Sequence, residues 1–305
     1  MRHDVVIIGA GAAGLSGALT LARARRNPLV IDAGQPRNAP AGGVHNYLGR
    51  EGTPPGELLS IGRSEIQRYG GSFLSGTVTD AHRLDDGAFR LTLDDGHAVE
   101  ARRLLVTTGL VDEMPAIPGV AERWGRTVLH CPYCHGWEVR DQPIGVVASS
   151  PLAVHGALMW RQWTPDVTLF LHERPLPEPS ELAQLDARRV RIVEGRVAAV
   201  EDEGVRLASG ELVPRAAVVV QSRMTARAAF LESLGLKPTP MELGGEVIGT
   251  YIAADPMGAT DVPGVWAAGN VSDLMAQVIV AAGAGLKAAA AINADLVQSE
   301  SAPAS

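Results

Sequence analysis

The 305-residue chain has two cysteines, no long uncharged apolar run and no surplus of positive charge. Two cysteines cannot staple a chain of this length, which excludes a disulfide scaffold. No stretch reaches roughly 18 apolar residues free of charge, so no transmembrane helix and no membrane partner are expected. Lys and Arg total 27 against 34 Asp and Glu, a formal charge of −7. A general nucleic-acid binder would carry a basic footprint instead. Apolar residues make up 46%, and a length of about two domains can bury sizeable cores. Arg2 and His3 ahead of an apolar run to about Ala22 resemble a signal peptide, but Asp4 and spaced glycines break that pattern. A reducing cytoplasm is therefore expected.

What is present begins with a βαβ start. Val5 to Ile8 reads as a buried parallel strand. Leu15, Ala18, Leu19 and Ala22 follow at helical spacing, Asn27-Pro28 ends the helix, and Leu29 to Ile31 forms a second strand closed by Asp32. Turn signals at Asp85-Asp86-Gly87 and Asp94-Asp95-Gly96 predict a β-meander over 76–107, which a buried strand, Leu104 to Val106, completes. The same order recurs. Ile144 to Val147 is a strand, a helix runs from Pro151 to about Trp163, and Val167 to Leu171 and Ala217 to Val220 are strands with turn signals between them. The fold class is α/β, with two similar units in tandem and a tail from about Met241 that ends in an Ala-rich helix.

Between strand and helix stands Gly9-Ala10-Gly11-Ala12-Ala13-Gly14, with Asp32 at the end of the next strand. In that context the pattern points to a dinucleotide. The first glycine permits the turn, the second lets backbone N–H groups approach a pyrophosphate, and the third lets helix and strand pack closely. Asp32 would accept hydrogen bonds from the adenosine ribose. The second unit lacks this device. Its loop reads Ala148-Ser149-Ser150-Pro151-Leu152-Ala153 without a glycine, and His172, Glu173 and Arg174 end its next strand. Each Cβ obstructs a pyrophosphate, and Glu173 opposes a 2′-phosphate, so NADPH binding is expected to be weak or absent. The contrary reading has Glu173 holding an NADH ribose.

The two cysteines are one object: Cys131-Pro132-Tyr133-Cys134, followed by His135. A zinc site needs a second ligand pair that the sequence does not supply, so no metal is expected. Inert buried thiols are the bland alternative. A redox disulfide fits best, because the spacing closes a small ring in which exchange is intramolecular. His135 titrates near neutrality and can take and return thiol protons.

Together, Gly9 to Gly14, Thr107-Thr108-Gly109, the CxxC and the segment Thr260 to Asn270 resemble the low-molecular-weight thioredoxin reductase family over nearly the whole chain. The resemblance implies two Rossmann-like three-layer nucleotide-binding domains with β-meanders, the second inserted in the first. Residues 1–113 plus 241–305 would bind FAD, and 114–240 would form the NAD(P)-type domain carrying the CxxC. It implies a homodimer. It implies FAD contacts at Gly9, Gly11, Ala12, Ala13, Gly14, Asp32 and Ala33. It extends them to Asn46, Thr107, Thr108, Gly109, Gly269, Asn270 (where the family has Asp), Gln277 and Val278. Cys134 would face the flavin, Cys131 would exchange with substrate, and His135 stands where the family has an acid/base Asp. Cys-Pro-Tyr-Cys-His-Gly beside a degraded nucleotide loop looks like the dithiol oxidases of disulfide natural products such as gliotoxin, holomycin and romidepsin. The activity expected is FAD-dependent oxidation of a small-molecule dithiol by oxygen. The alternatives are a thioredoxin reductase fed by NADPH or ferredoxin, and a non-catalytic flavoprotein.

Overall fold

The apolar β1 (Arg2–Ile8) turns into α1 (Ala12–Arg23), and β2 (Pro28–Asp32) follows beside it. These elements come from a computed structural model that describes residues 2–301. Next come α2 (Pro55–Arg68), β3 (Ser72–Ser75), β4 (Val78–Arg83), β5 (Phe89–Leu93), β6 (Ala98–Val106) and β7 (Leu110–Glu113). Strand β6 serves two layers. Its first half pairs antiparallel with β5 in the meander, and its second half runs parallel to β1.

The second unit runs through α3 (Val120–Arg123), β8 (Val128–Leu129), α4 (Pro132–His135), β9 (Ile144–Val147), α5 (Ala153–Trp160), β10 (Val167–Phe170), α6 (Pro179–Ala187) and β11 (Arg191–Val193). A meander of β12 (Val197–Glu201), β13 (Gly204–Leu207) and β14 (Leu212–Pro214) leads to β15 (Ala217–Val219). The chain then returns through β16 (Arg223–Ala226), the hairpin β17 (Thr239–Leu243) and β18 (Glu246–Tyr251), β19 (Val265–Ala267) and α7 (Val278–Ser301).

The expected repeat is visible in the sheets. The first parallel sheet has the order β3-β2-β1-β6-β19 and the second β11-β10-β9-β15-β8. Each has a helical layer on one face and a three-stranded meander on the other, so both units are three-layered and Rossmann-like. Strand β7 leaves the first unit and β16 re-enters it, and the two pair antiparallel, Glu113 opposite Arg223 and Leu110 opposite Ala226. These strands and the β17–β18 hairpin are absent from the sequence reading, since runs of four to six residues carry little periodicity. Ala226, Ala228, Phe230, Leu231 and Leu236 already pack into the core of the first unit, ahead of residue 241.

By length and apolar composition α7 would qualify as a membrane span, although Lys287, Asp295 and Glu300 interrupt it. Its Ala281, Ala282, Gly285, Ala288 and Ala289 are buried, and α1 is its main packing partner.

The loop after β1 depends on very close backbone contacts. Gly9 has φ +105°, and a Cβ on Gly14 would collide with the Gly9 carbonyl oxygen and lie 2.6 Å from Thr107 Oγ1. Gly14→Ala should therefore lower unfolding stability by about 1–3 kcal/mol in chemical denaturation and weaken flavin retention with it.

Candidate active site

The sequence places α1 so that its N-terminus ends at a cavity of about 1310 Å³. That volume exceeds the ~300–1,000 Å³ of ordinary ligand sites and has room for a dinucleotide with a substrate beside it. Gly9, Gly11, Ala12 and Ala13 line it, and α1 has no side-chain cap. Its first-turn N–H groups have no intrahelical acceptor and suit an anion. Open space lies where a Cβ on Gly11 would be, as a pyrophosphate cradle requires. Asp32 and Ala33, Thr107 to Gly109, Gly269, Asn270, Gln277 and Val278 line the same cavity.

Several of these side chains are already engaged. Asp32 accepts the Ala10 N–H at 3.0 Å and pairs with Arg63. Thr107 Oγ1 hydrogen-bonds the Ile8 and Gly9 carbonyl oxygens, and Thr108 Oγ1 donates to Arg227 O at 2.6 Å. Asn270 Nδ2 donates to Asp273 O and Ala276 O (3.1 and 2.9 Å), shaping the turn before α7. Two expected flavin residues stand away from the cavity lining. Gly14 packs beneath the loop, and Asn46 donates its amide to Tyr133 O at 2.7 Å.

Cys131, Cys134 and His135 line this same cavity, so the structure unites the dinucleotide cradle and the CxxC. Cys131 is the N-cap residue of the single-turn α4, and both thiols are free and half-buried. The Cys134 thiol donates to Cys131, and with N–H groups of Cys134 and Tyr133 and the charge of Arg37 it lowers the Cys131 thiol to about 7, against the opposing effect of burial. Cys134 is pushed up because it donates to Cys131, because it is buried, and because Cys131 carries charge. The first and third causes vanish once the Cys131 sulfur is bonded to another sulfur. Burial holds the His135 imidazole below its ordinary pKa, with His45 lowering it further against Glu138, and neither ring nitrogen has a hydrogen-bond partner among the described residues. A neutral, unpartnered imidazole can accept a proton from a ligand.

Sequence reasoning missed the charged frame around the thiols. Arg37, in the loop after β2, holds Asp112 of β7 through Nε and Nη2 (2.6 and 2.7 Å), and Ser222 Oγ donates to the same carboxylate at 2.7 Å. His130 stacks on Trp124, ring centroids 5.4 Å apart, and burial and Arg37 lower its pKa to about 4. The only local signal was a cation five residues after the strand-end Asp32.

At the second nucleotide loop the cations are neutralised. Arg174 is held by Glu246 of β18 (2.5 and 2.6 Å), and Glu173 pairs with Arg196 at 3.1 Å. Gly244, at the hairpin tip, lies over Pro151.

Residues 3–285 match the family described as pyridine nucleotide-disulphide oxidoreductase. The chain belongs to that family. It is an FAD-dependent oxidoreductase of the thioredoxin reductase type. This oxidoreductase is 33% identical over 293 residues to the thioredoxin reductase tcpT of Claviceps purpurea, covering 90% of this chain and 88% of that protein. It is 28% identical to the thioredoxin reductase of Aquifex aeolicus, over 95% of this chain and 92% of the other. Among solved structures it is similar to HlmI, with TM-score 0.90 and 48% identity over 98% of this chain and 94% of the other. An oxidoreductase from Agrobacterium tumefaciens gives TM-score 0.92 at 38% identity, over 98% and 99%.

In the reduced oxidoreductase, alkylation by iodoacetamide should fall on Cys131. Its rate should rise with pH through a midpoint near 7, as thiolate forms, read by mass spectrometry of the labelled peptide.

Proposed function

We propose that this oxidoreductase is a dithiol oxidase that closes a disulfide in a small molecule with oxygen as electron acceptor. The observation that carries the reading is the asymmetry of the two units. One cavity unites the CxxC with an open dinucleotide cradle, while the other nucleotide loop has Cβ atoms in place of glycines and its arginines paired to Glu173 and Glu246. A 2′-phosphate would have to displace those carboxylates. The names of tcpT and the Aquifex relative favour a second reading, reduction of a protein disulfide, which the same experiment distinguishes.

In the oxidase reading a substrate thiolate attacks Cys131 Sγ of the Cys131–Cys134 disulfide, and Cys134 leaves as thiolate. The second substrate thiol, deprotonated by His135, attacks the substrate sulfur of the mixed disulfide and expels Cys131. The substrate leaves as a cyclic disulfide, two electrons and two protons poorer. FAD, when bound, supplies the route by which that electron pair reaches oxygen, which leaves as hydrogen peroxide. The first-turn N–H groups of α1 would hold its pyrophosphate, Asp32 would border its ribose, and the N-terminus of α7 with Gln277 would border its ring.

A homodimer fits this reading. Ile279, Gly283, Leu286, Ala290 and Val297 form an exposed apolar stripe along α7 that a second copy would cover. A reducing cytoplasm fits two thiols used for exchange. For domain limits we propose 1–113 with the C-terminal segment as the FAD-binding body, and an inserted unit that ends near residue 222 rather than 240.

Anaerobic mixing tests the function. A small dithiol such as reduced holomycin should bleach the flavin, and micromolar NADPH should leave it oxidised. Rapid bleaching by NADPH with efficient thioredoxin reduction would overturn the reading. Cys131→Ser should abolish bleaching by the dithiol, and His135→Ala should slow it about 100-fold or more while leaving FAD bound.

A further inference from the structure

Gln221 follows the last strand of the inserted unit and has no part in the steps described above. Strand β15 runs parallel to β8 with Val219 opposite Leu129, and the Val220 N–H donates to Leu129 O at 3.0 Å. Two residues further along that register, Gln221 stands level with Cys131, whose backbone is still extended. Neighbouring strands lie about 4.8 Å apart, and alternate residues of a strand share a face. Leu129 and Val219 pack into one core with Ala153, Ala157 and Trp160 of α5, so Cys131 and Gln221 both lie on the α5 side of the sheet. The approach of Gln221 to α5 agrees: a Cβ on Gly156 would lie 3.0 Å from Gln221 Nε2. Cys131, Gln221, Gly156, Met159 and Trp160 all line the cavity.

The polar groups next to Gln221 are engaged. Ser149 Oγ hydrogen-bonds the Gln221 backbone, and Ser222 Oγ donates to Asp112, which Arg37 holds. Gln221 Oε1 instead is buried with no hydrogen-bond partner among the described residues. Buried polar atoms are nearly always paired, so an unpartnered carboxamide in a cavity wall marks a place for a polar group of a ligand. A carboxamide offers both a donor and an acceptor, which suits a hydroxyl or an amide. We propose that Gln221 is a specificity-determining residue that orients the dithiol at Cys131, its carboxamide hydrogen-bonding a hydroxyl or amide close to the attacking sulfur. Dithiols with such a group are then exchanged faster than plain alkane dithiols. The inference rests on the dithiol exchange at Cys131 proposed above.

Dithiothreitol and butanedithiol share a carbon chain and close disulfide rings of one size, but only the first carries hydroxyls. Each is mixed anaerobically, at limiting concentration, with the oxidised FAD-loaded protein and with its Gln221→Met and Gln221→Leu variants, and the bleaching of the flavin is timed. Both variants keep most of the side-chain bulk and remove the carboxamide. The expected result is bleaching by dithiothreitol that is about 3- to 10-fold slower in both variants, with the rate for butanedithiol unchanged. Equal rates for dithiothreitol in all three proteins overturn the proposal. So does an equal slowing with both dithiols, which would report the shape of the wall rather than a hydrogen bond. An unaltered protein that neither dithiol bleaches overturns the exchange reading itself and this inference with it, which separates the two failures.

Discussion

Everything at the site depends on how closely α1 approaches the sheet. Gly14 lies against the Gly9 carbonyl, and Thr107 hydrogen-bonds the same turn from the end of β6. That contact seats the uncapped first turn of α1 at the mouth of the cavity, where its N–H groups face open space. A single methyl group would push the helix outward and misdirect the donors. The Asp32 carboxylate, held by the Ala10 N–H and Arg63, fixes the far side of the same loop. In the proposed reading the charge of a dinucleotide would be met there mainly by backbone N–H groups.

The second unit shows what the same topology becomes when the close approach is given up. The strand order is repeated, but the loop after β9 has side chains where open backbone would be needed. Ser149 Oγ and the Gln221 backbone hydrogen-bond each other, which ties the loop to the following segment. Arg174 reaches across to Glu246 on the first unit. The second unit lines the cavity with both its redox segment between β8 and β9 and the loop from Ser149 to Leu152.

The parts legible in the sequence were those whose signal is local. The βαβ start, the two meanders and the CxxC each lie within a short window, and the repeat follows from their order. The glycines also distinguish the two loops: a Cβ on Gly11 would meet open space, and the second loop has no glycine. What escaped was set by pairings between distant residues: Arg37 with Asp112, Arg174 with Glu246, and Asn46 with the Tyr133 carbonyl, each more than 70 positions apart. Charge and residue type mark such groups as polar but do not say which partner each will meet. Asn46 is the clearest case. Nothing local in the sequence says that its amide meets the Tyr133 carbonyl between the two cysteines.

The pairing of β7 with β16 has a topological consequence. The chain leaves the first unit and comes back to it at neighbouring points, so the whole of 114–222 hangs from two strands lying side by side. To the host sheet that segment is equivalent to an ordinary hairpin loop, however large it grows. A module attached in this way can be altered, and its nucleotide loop dismantled, without changing the register of the strands that carry the cradle.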